Sequence, residues 1–329
     1  MRYDVLGIGD PTIDCFIRLK DARVNCDIND EHCLLCVRFG DKVPYEYSEE
    51  VPAVGNAANA AAACARLGLK AAFRGSVGDD AHGQVIIDTF AKQGVATDLI
   101  VKEAGKITNY HYVLWYESER TILIKHERFT YSLPSLAEAP QWVYLSSLGE
   151  DTLPYQLEIA TYIHEHPETK LAFQPGTFQM KAGIDALKEL YAETEIFFCN
   201  KQEAQLILRS QEEDVKKLLE NIRTLGPKIA VITDGRNGSS IQTAEGTWRA
   251  PMYPDPKPPV ERTGAGDATS STTVAYMIMG LPPQEALLRG LINSAYVVQE
   301  IGAQKGLLTR EKLEELYEKR PEDFKLSAL

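Results

Sequence analysis

The sequence predicts an α/β fold: a mainly parallel sheet with helices on both faces, giving three layers, and a small β-structure inserted into it. Three observations carry this. Short apolar runs alternate with helix-spaced segments along most of the 329 residues, which is the pattern of buried parallel strands and their crossover helices. Residues 15–51 and 110–125 break that alternation with period-two patterning and no good helix. The composition, 44% hydrophobic and 25% charged, is that of a chain that packs a core rather than staying disordered.

The elements follow in order. Residues 3–9 (YDVLGIG) form a short strand ending in glycine, and 57–66 an Ala-rich helix that stops at Gly68. Residues 143–148, 170–174, 195–199 and 228–233 are further buried strands. Residues 153–165 and 201–225 have helical spacing. Residues 110–125 (YHYVLWYESERTILIK) read as two strands joined by the polar turn 117–120. Residues 268–279 form a helix after a Gly-Ala-Gly turn, stopped by Gly280 with Pro282 and Pro283 beyond. The proline cluster at 251–259 reads as a stiff extended loop. Residues 1–14, 50–109 and 126–329 are assigned to the large α/β unit, and 15–49 with 110–125 to a small β lid.

Charge and targeting narrow the function. Lys plus Arg total 35 against 47 Asp plus Glu, a formal charge of −12, and no block of basic residues offers a phosphate backbone a landing site. No stretch approaches the roughly 18 apolar residues of a membrane span. Met1-Arg2-Tyr3-Asp4 runs into a strand without the apolar core of a signal peptide. The expectation is a soluble cytoplasmic protein that binds neither nucleic acid nor membrane. Five of the six cysteines fall in the first 64 residues. Cys33 and Cys36 form a CxxC preceded by His32, with Cys26 available as a third metal ligand. A single CxxC lacks the second ligand pair of a structural zinc. The favoured reading is therefore a strand within 32–39 carrying small thiols in a reducing compartment.

The strongest chemical signal is Gly264-Ala265-Gly266-Asp267 at a helix start. Glycines let a ligand approach the backbone, and the free N–H groups of a helix N-terminus bind anions. By itself this is also an ordinary glycine turn with an acidic cap. Three further motifs tip the balance. Gly55-Asn56-Ala57-Ala58-Asn59 opens a thin helix whose Asn59 amide points at the helix start. Asn200 and Glu203 follow a strand, as a capping box or as oxygen ligands holding magnesium waters. Thr233-Asp234-Gly235, with Gly238, is a strand end running into a turn.

These residues, in this order, resemble the PfkB-type, or ribokinase-like, carbohydrate kinases. The first signature of that family is matched by Gly55, Asn56, Ala57, Ala58, Asn59, Arg66, Leu67 and Gly68, and Gly75–Asp80 with Gly83 follows in place. Glu119-Arg120-Thr121 resembles a lid hairpin motif, Asn200 to Glu203 the Asn-x-x-Glu magnesium motif, Thr233 and Gly235 the nucleotide-binding Thr-x-Gly, and Gly264 to Asp267 the second signature. The resemblance implies a three-layer Rossmann-like sandwich with a small β-sheet lid. It implies that Asp267 takes a proton from the acceptor hydroxyl and that Gly264, Ala265 and Gly266 form an anion hole. It places Asp14, Gly55, Asn56 and Asn59 on the sugar. It places Asn200, Thr233, Gly235, Gly238 and Asn293 along the nucleotide, with Asn200 and Glu203 positioning Mg²⁺ largely through water.

The implied activity is transfer of the γ-phosphate of ATP to a hydroxymethyl group of a sugar or related polyol. The alternatives are a nucleoside kinase of the same fold and a non-catalytic sugar- or nucleotide-binding regulator. Departures from the family pattern are Val54 for a hinge glycine, Glu261-Arg262 for Asp-Thr, Ser270-Ser271-Thr272 for a Gly-rich stretch, and Gln174 for an Asp after its strand. Glu261-Arg262 puts monovalent-cation activation in doubt. Tyr110, Tyr112, Trp115, Lys125, His126 and Arg128 are the lid residues expected to select the acceptor. The lid's exposed strands need cover, so a homodimer through the lid is expected.

Overall fold

The computed structural model describes residues 2–26, 33–117 and 119–329. The chain starts in β1 (Val5–Ile8) and passes directly into β2 (Thr12–Leu19), a two-stranded ribbon β3 (Arg23–Asn25) and β4 (Leu34–Cys36), and the long β5 (Tyr45–Val54). Then come α1 (Asn56–Arg66), β6 (Ala71–Gly78), α2 (Ala81–Lys92), β7 (Ile100–Glu103), and the hairpin β8 (Tyr110–Tyr116) and β9 (Glu119–Leu123). The succession β10 (Trp142–Leu145), α3 (Leu153–Glu165), β11 (Lys170–Phe173), α4 (Thr177–Ala182), α5 (Lys188–Ala192), β12 (Thr194–Asn200), α6 (Lys201–Leu208), α7 (Val215–Thr224) and β13 (Ile229–Thr233) completes the parallel part. The chain closes with β14 (Ser239–Gln242), β15 (Thr247–Ala250), α8 (Ala265–Ile278), α9 (Pro283–Val297), α10 (Arg310–Glu318) and β16 (Ser327–Ala328).

Ten strands form one sheet in the order β16-β15-β14-β13-β12-β11-β10-β1-β6-β7. From β7 to β13 every pairing is parallel, and β14 to β16 add an antiparallel edge. Alternate side chains of each parallel strand enter opposite cores. Val5, Phe73, Ile196, Phe198 and Val231 pack against α1, α2, α8 and α9. Leu6, Ile8, Phe197 and Ile232 pack against α3, α5, α6 and α7. Each fully buried Phe, Leu or Ile contributes about 1.5–3 kcal/mol, and two such cores hold the sheet rigid beneath its C-terminal edge.

A second sheet, β5-β2-β8-β9, stands over that edge. Its strands take in Thr12 to Asp14 and Glu50 to Val54, which the sequence reading assigns to the larger unit. The expected single helix over 201–225 is two helices. Arg209 turns left-handed (φ 49°) after α6, and the Asp214 side chain caps α7 through the Lys216 N–H. The Pro251–Pro259 loop has neither helix nor strand.

The cysteine reading changes. Cys26 and Cys33 are joined by a disulfide across seven positions of sequence, so two of the expected thiols are oxidised. Cys15, Cys36, Cys64 and Cys199 are free. His32 lies outside the described residues, and among those described no cluster of His, Cys, Asp and Glu suits a metal ion. None of the described helices is long and apolar enough to cross a membrane.

Candidate functional site

The C-terminal ends of β10 to β13 and the inner face of the lid enclose a cleft of about 420 Å³. Such ends line ligand crevices because the crossover helices begin there, N-termini first. Gly264 caps α8 in a left-handed conformation (φ 80°), and a Cβ there would lie 2.4 Å from Ala303 Cβ. Glycine is therefore required for both backbone and space. Gly266 opens onto the cleft with nothing within 4 Å of its Cβ direction. In the first turn of α8 the Ala268 N–H bonds the Gly264 carbonyl at 2.8 Å and the Ala265 N–H reaches the Arg262 carbonyl only at 3.5 Å, whereas the Gly266 N–H lies too early in the helix for an intrahelical acceptor and no side chain caps the turn.

Asp267 sits in that first turn, 9% exposed. Its Oδ1 accepts from Asn56 Nδ2 and Gln174 Nε2, each at 3.0 Å, and its Oδ2 from Asn59 Nδ2 at 2.7 Å. Burial pushes its carboxyl above the ordinary carboxylate value, while the three amides and the Arg120 charge pull it back. Thus Asn56 and Asn59, expected on the sugar, line the cleft but spend their amides on the carboxylate. Gly55 begins α1 with φ 114°, and a Cβ there would meet Asp10 O at 2.8 Å. Val54 is a buried end of β5; the left-handed residue beside it is Ala53 (φ 58°).

A smaller groove of about 120 Å³ continues the cleft, sharing Thr233, Arg262 and Gly266 with it. Gly235, Gly238 and Ala265 line it, with the apolar side chains Met252, Leu291 and Val298. A polar mouth with an apolar floor suits phosphates leading to a base. Asn293 does not belong there. It is fully buried, donates to Thr272 Oγ1 at 2.8 Å and accepts the Leu308 N–H at 2.9 Å. Both amide ends are satisfied inside the protein, so the expected nucleotide contact is corrected. Its neighbour Ser294 lines the groove instead.

Asn200 and Glu203 form a reciprocal capping box, with both bonds at 2.8 Å. Both also line the cleft. Burial raises the Glu203 carboxyl, the Asn200 N–H lowers it, and the nearby Asp267 charge raises it again. Asn200 and Glu203 bring side-chain oxygens to the cleft, which suits a hard cation that keeps most of its waters.

At the other end, Asp14 stands in β2 and faces His111 Nδ1 at 3.4 Å. Asp10 is buried, accepting from the Tyr131 hydroxyl at 2.8 Å and the Gly149 N–H at 2.7 Å, with His126 Nδ1 at 3.6 Å. From the lid, His111, Arg120, Ile122, Ile124 and His126 reach the cleft. Of the six lid residues expected to do so, only His126 does. Tyr110 bonds Glu50 and Tyr112 is 48% exposed, because they alternate with His111 on β8 and face outward. Trp115 is buried beneath the Arg18 guanidinium. Lys125 lines a separate hollow with Glu50 and His82, and Arg128 pairs with Asp151 at the surface.

Sequence reasoning missed Asp10 and its Tyr131 bond, and it treated Arg262 and Gln174 as departures rather than as lining residues. The Gly9-Asp10 strand end was the signal available for Asp10. The hydroxyls of 270–272 were also read as an anomaly. Ser271 returns its proton to the carbonyl of Asp267, four residues back, and Ser270 Oγ lies 2.9 Å from the Gly266 carbonyl and 2.7 Å from the Tyr144 hydroxyl, so both buried hydroxyls have partners.

The chain matches the family described as pfkB family carbohydrate kinase over residues 25–310. It is 25% identical over 251 residues to an uncharacterized sugar kinase of Archaeoglobus fulgidus, covering 74% of this chain and 96% of that one. It is 26% identical to the ribokinase of Bacillus subtilis, covering 80% and 86%. Among solved structures it is similar to the Methanocaldococcus jannaschii nucleoside kinase and to Arabidopsis thaliana ribokinase complexed with ribose and ATP. Each has a TM-score of 0.79 at 18% identity; the coverage is 96% of this chain and 98% or 99% of theirs. Fold, signatures and extent of match agree: the chain belongs to the pfkB family of carbohydrate kinases and is an ATP-dependent sugar phosphotransferase.

Proposed function

We propose that Asp267 is the base of this phosphotransfer and that the acceptor is a hydroxymethyl group of a sugar or related polyol. The observation that carries the reading is the Asp267 carboxylate, at the N-terminus of α8, oriented by three side-chain amides and facing the cleft. A carboxylate has about four lone-pair directions, so three amides leave one for the acceptor hydroxyl. The acceptor oxygen attacks the γ-phosphorus, its proton passes to Asp267, and the bond from the γ-phosphorus to the bridging oxygen breaks to release ADP. Main-chain N–H groups of Gly264, Ala265 and Gly266 receive charge on the transferring group without reorganising, worth about 3–4 kcal/mol per well-placed donor. Arg120 and Arg262 add positive charge along the same path. Asp14 and His111 hold acceptor hydroxyls, and Thr233, Gly235 and Gly238 lie along the nucleotide. The lid excludes water, which would otherwise compete as acceptor.

Asn200 and Glu203 hold Mg²⁺ largely through water in this reading. When bound, the ion neutralises phosphate charge. Glu261 has a different task from the residue it replaces. It is buried, and its carboxylate accepts from Thr263 N–H at 2.6 Å and Gly302 N–H at 2.9 Å, tying the loop before α8 to the loop after α9. The reading includes no monovalent cation. A homodimer through the lid, in the cytoplasm where ATP is supplied, accompanies it: Tyr112 and Leu123 are paired across β8 and β9, 48% and 51% exposed on the outer face.

The decisive experiment is ADP release against a panel of neutral sugars, sugar acids, sugar phosphates and nucleosides. Turnover on one class supports the reading. Clear ligand binding with no turnover on any member would favour the non-catalytic regulator.

A further inference from the structure

The three amides around Asp267 pose a question that the carboxylate alone does not answer. A side-chain amide can present either its oxygen or its NH₂, and an oxygen turned toward a carboxylate would repel it. In each of the three, something holds the oxygen end elsewhere. Asn56 Oδ1 accepts from Ser147 Oγ at 2.9 Å, and Asn59 Oδ1 from Gln304 Nε2 at 2.8 Å. Gln174 Oε1 accepts from the Tyr144 hydroxyl; Ser270 Oγ lies 3.2 Å from the same amide oxygen and 2.7 Å from the Tyr144 oxygen, to which it can donate while the phenol proton goes to Gln174. Tyr144 is fully buried, and burial with the Asp267 charge raises its phenol well above the ordinary value, so it keeps the proton it donates.

Gln174 differs from the other two. Asn56 and Asn59 open a helix that the cleft needs in any case, whereas Gln174 is the first residue past β11 and reaches across to α8. A glutamate at 174, with the same reach as the glutamine, would put a second acid about where Gln174 Nε2 stands 3.0 Å from Asp267 Oδ1. Other charged or titratable groups facing Asp267 are Arg120 from β9, Glu203 from α6 and Tyr144 from β10. Behind Tyr144 lies Cys64 of α1, pushed up to about 12 by burial and therefore neutral.

We propose that Gln174 is a positioning residue for the Asp267 base: clamped at its oxygen by Tyr144, it fixes Oδ1 and leaves the remaining lone pair aimed at the acceptor. This rests on the role of Asp267 given above.

The test compares the full chain with Gln174→Glu and Gln174→Met, using the fastest wild-type acceptor. In Gln174→Glu the two carboxyls titrate as a pair. The turnover number at pH 7 should fall at least about tenfold. The acid limb of its pH profile should rise by about one unit or more, with recovery at higher pH. The KM for ATP should stay within about threefold. Gln174→Met, which cannot donate, should lower turnover about tenfold with both KM values kept. The ¹³C signal of the Asp267 carboxyl in ligand-free protein should titrate at higher pH in Gln174→Glu than in wild type. Superimposable pH profiles, or a raised KM with unchanged turnover, would overturn the assignment. If either variant fails to fold by circular dichroism, Tyr144→Phe replaces it, and unchanged turnover there overturns the proposal equally. Wild-type protein that phosphorylates no acceptor would defeat the role of Asp267, while the carboxyl titration would still decide whether Gln174 holds it.

Discussion

Asn59 Nδ2 meets Asp267 Oδ2 at 2.7 Å although 208 positions of sequence separate them. Two helix starts make the contact possible. Ala57, Ala58, Ala60 and Ala61 give α1 so little bulk that it packs closely, and the Cys64 thiol comes within 3.8 Å of the Ser271 carbonyl on α8. The close approach brings the first turns of α1 and α8 to the same point of the cleft, where one supplies donors and the other the charge.

Asp267→Asn should lower turnover at least about a hundredfold while ATP binding is retained, because a base acts on the chemical step. Turnover and calorimetric nucleotide binding, measured separately, check this. Equal activity would remove Asp267 from its role.

Activity should fall on acidification at a pH above the ordinary carboxylate range. The Asp267 carboxyl is raised by burial, and the base works only when ionised, so the rate is present above the raised value and lost below it. A profile of turnover against pH, with unfolding monitored in parallel, separates this limb from denaturation.

Glu203→Gln retains an oxygen for the Asn200 N–H, so α6 keeps its cap. It removes the charge proposed to hold magnesium waters. The Mg²⁺ concentration for half-maximal rate should rise by about 10–100-fold with the melting temperature nearly unchanged. An unaltered Mg²⁺ dependence would confine Glu203 to its capping role.

Asp14→Asn should raise the KM for the acceptor about tenfold or more, since hydrogen bonds to a charged group are worth about 1.5–3 kcal/mol. The KM for ATP should not move. A change in the ATP value alone would place Asp14 outside the acceptor end.

Asp80 caps α2 through the Gly83 N–H at 2.7 Å and bonds the Thr108 N–H and hydroxyl. Burial works to raise its carboxyl, but these bonds prevail and lower it. A lowered folded value means the stabilisation is present above the unfolded value and disappears as pH falls through the folded one. Asp80→Ala should cost about 1–2 kcal/mol at pH 7 in urea unfolding, and the deficit should shrink in acid.

Much of this molecule was legible locally. The strand at 3–9, the helix over 153–165 and the helix after Gly264 depend on near neighbours: apolar runs, a glycine that no other residue replaces, a helix stop at Gly280. The capping box of Asn200 and Glu203 is likewise three residues long. By contrast, the helix over 201–225 failed because one left-handed residue, Arg209, interrupts a pattern that looks continuous. For Tyr110 and Tyr112 the lid reading failed by one register position: Tyr112 and His111 are neighbours in sequence and face opposite sides of one strand.

Sequence alone determined the family signatures, the acid at 267 and the glycines around it, because backbone conformation and helix ends are set over a few residues. Tertiary structure decided what those groups do. It turned Asn56 and Asn59 toward the carboxylate, withdrew Asn293 into the core, and set Tyr144 behind Gln174. Orientation of a side-chain amide depends on what meets its other end, and those partners come from strands and helices far along the chain that only folding brings into contact.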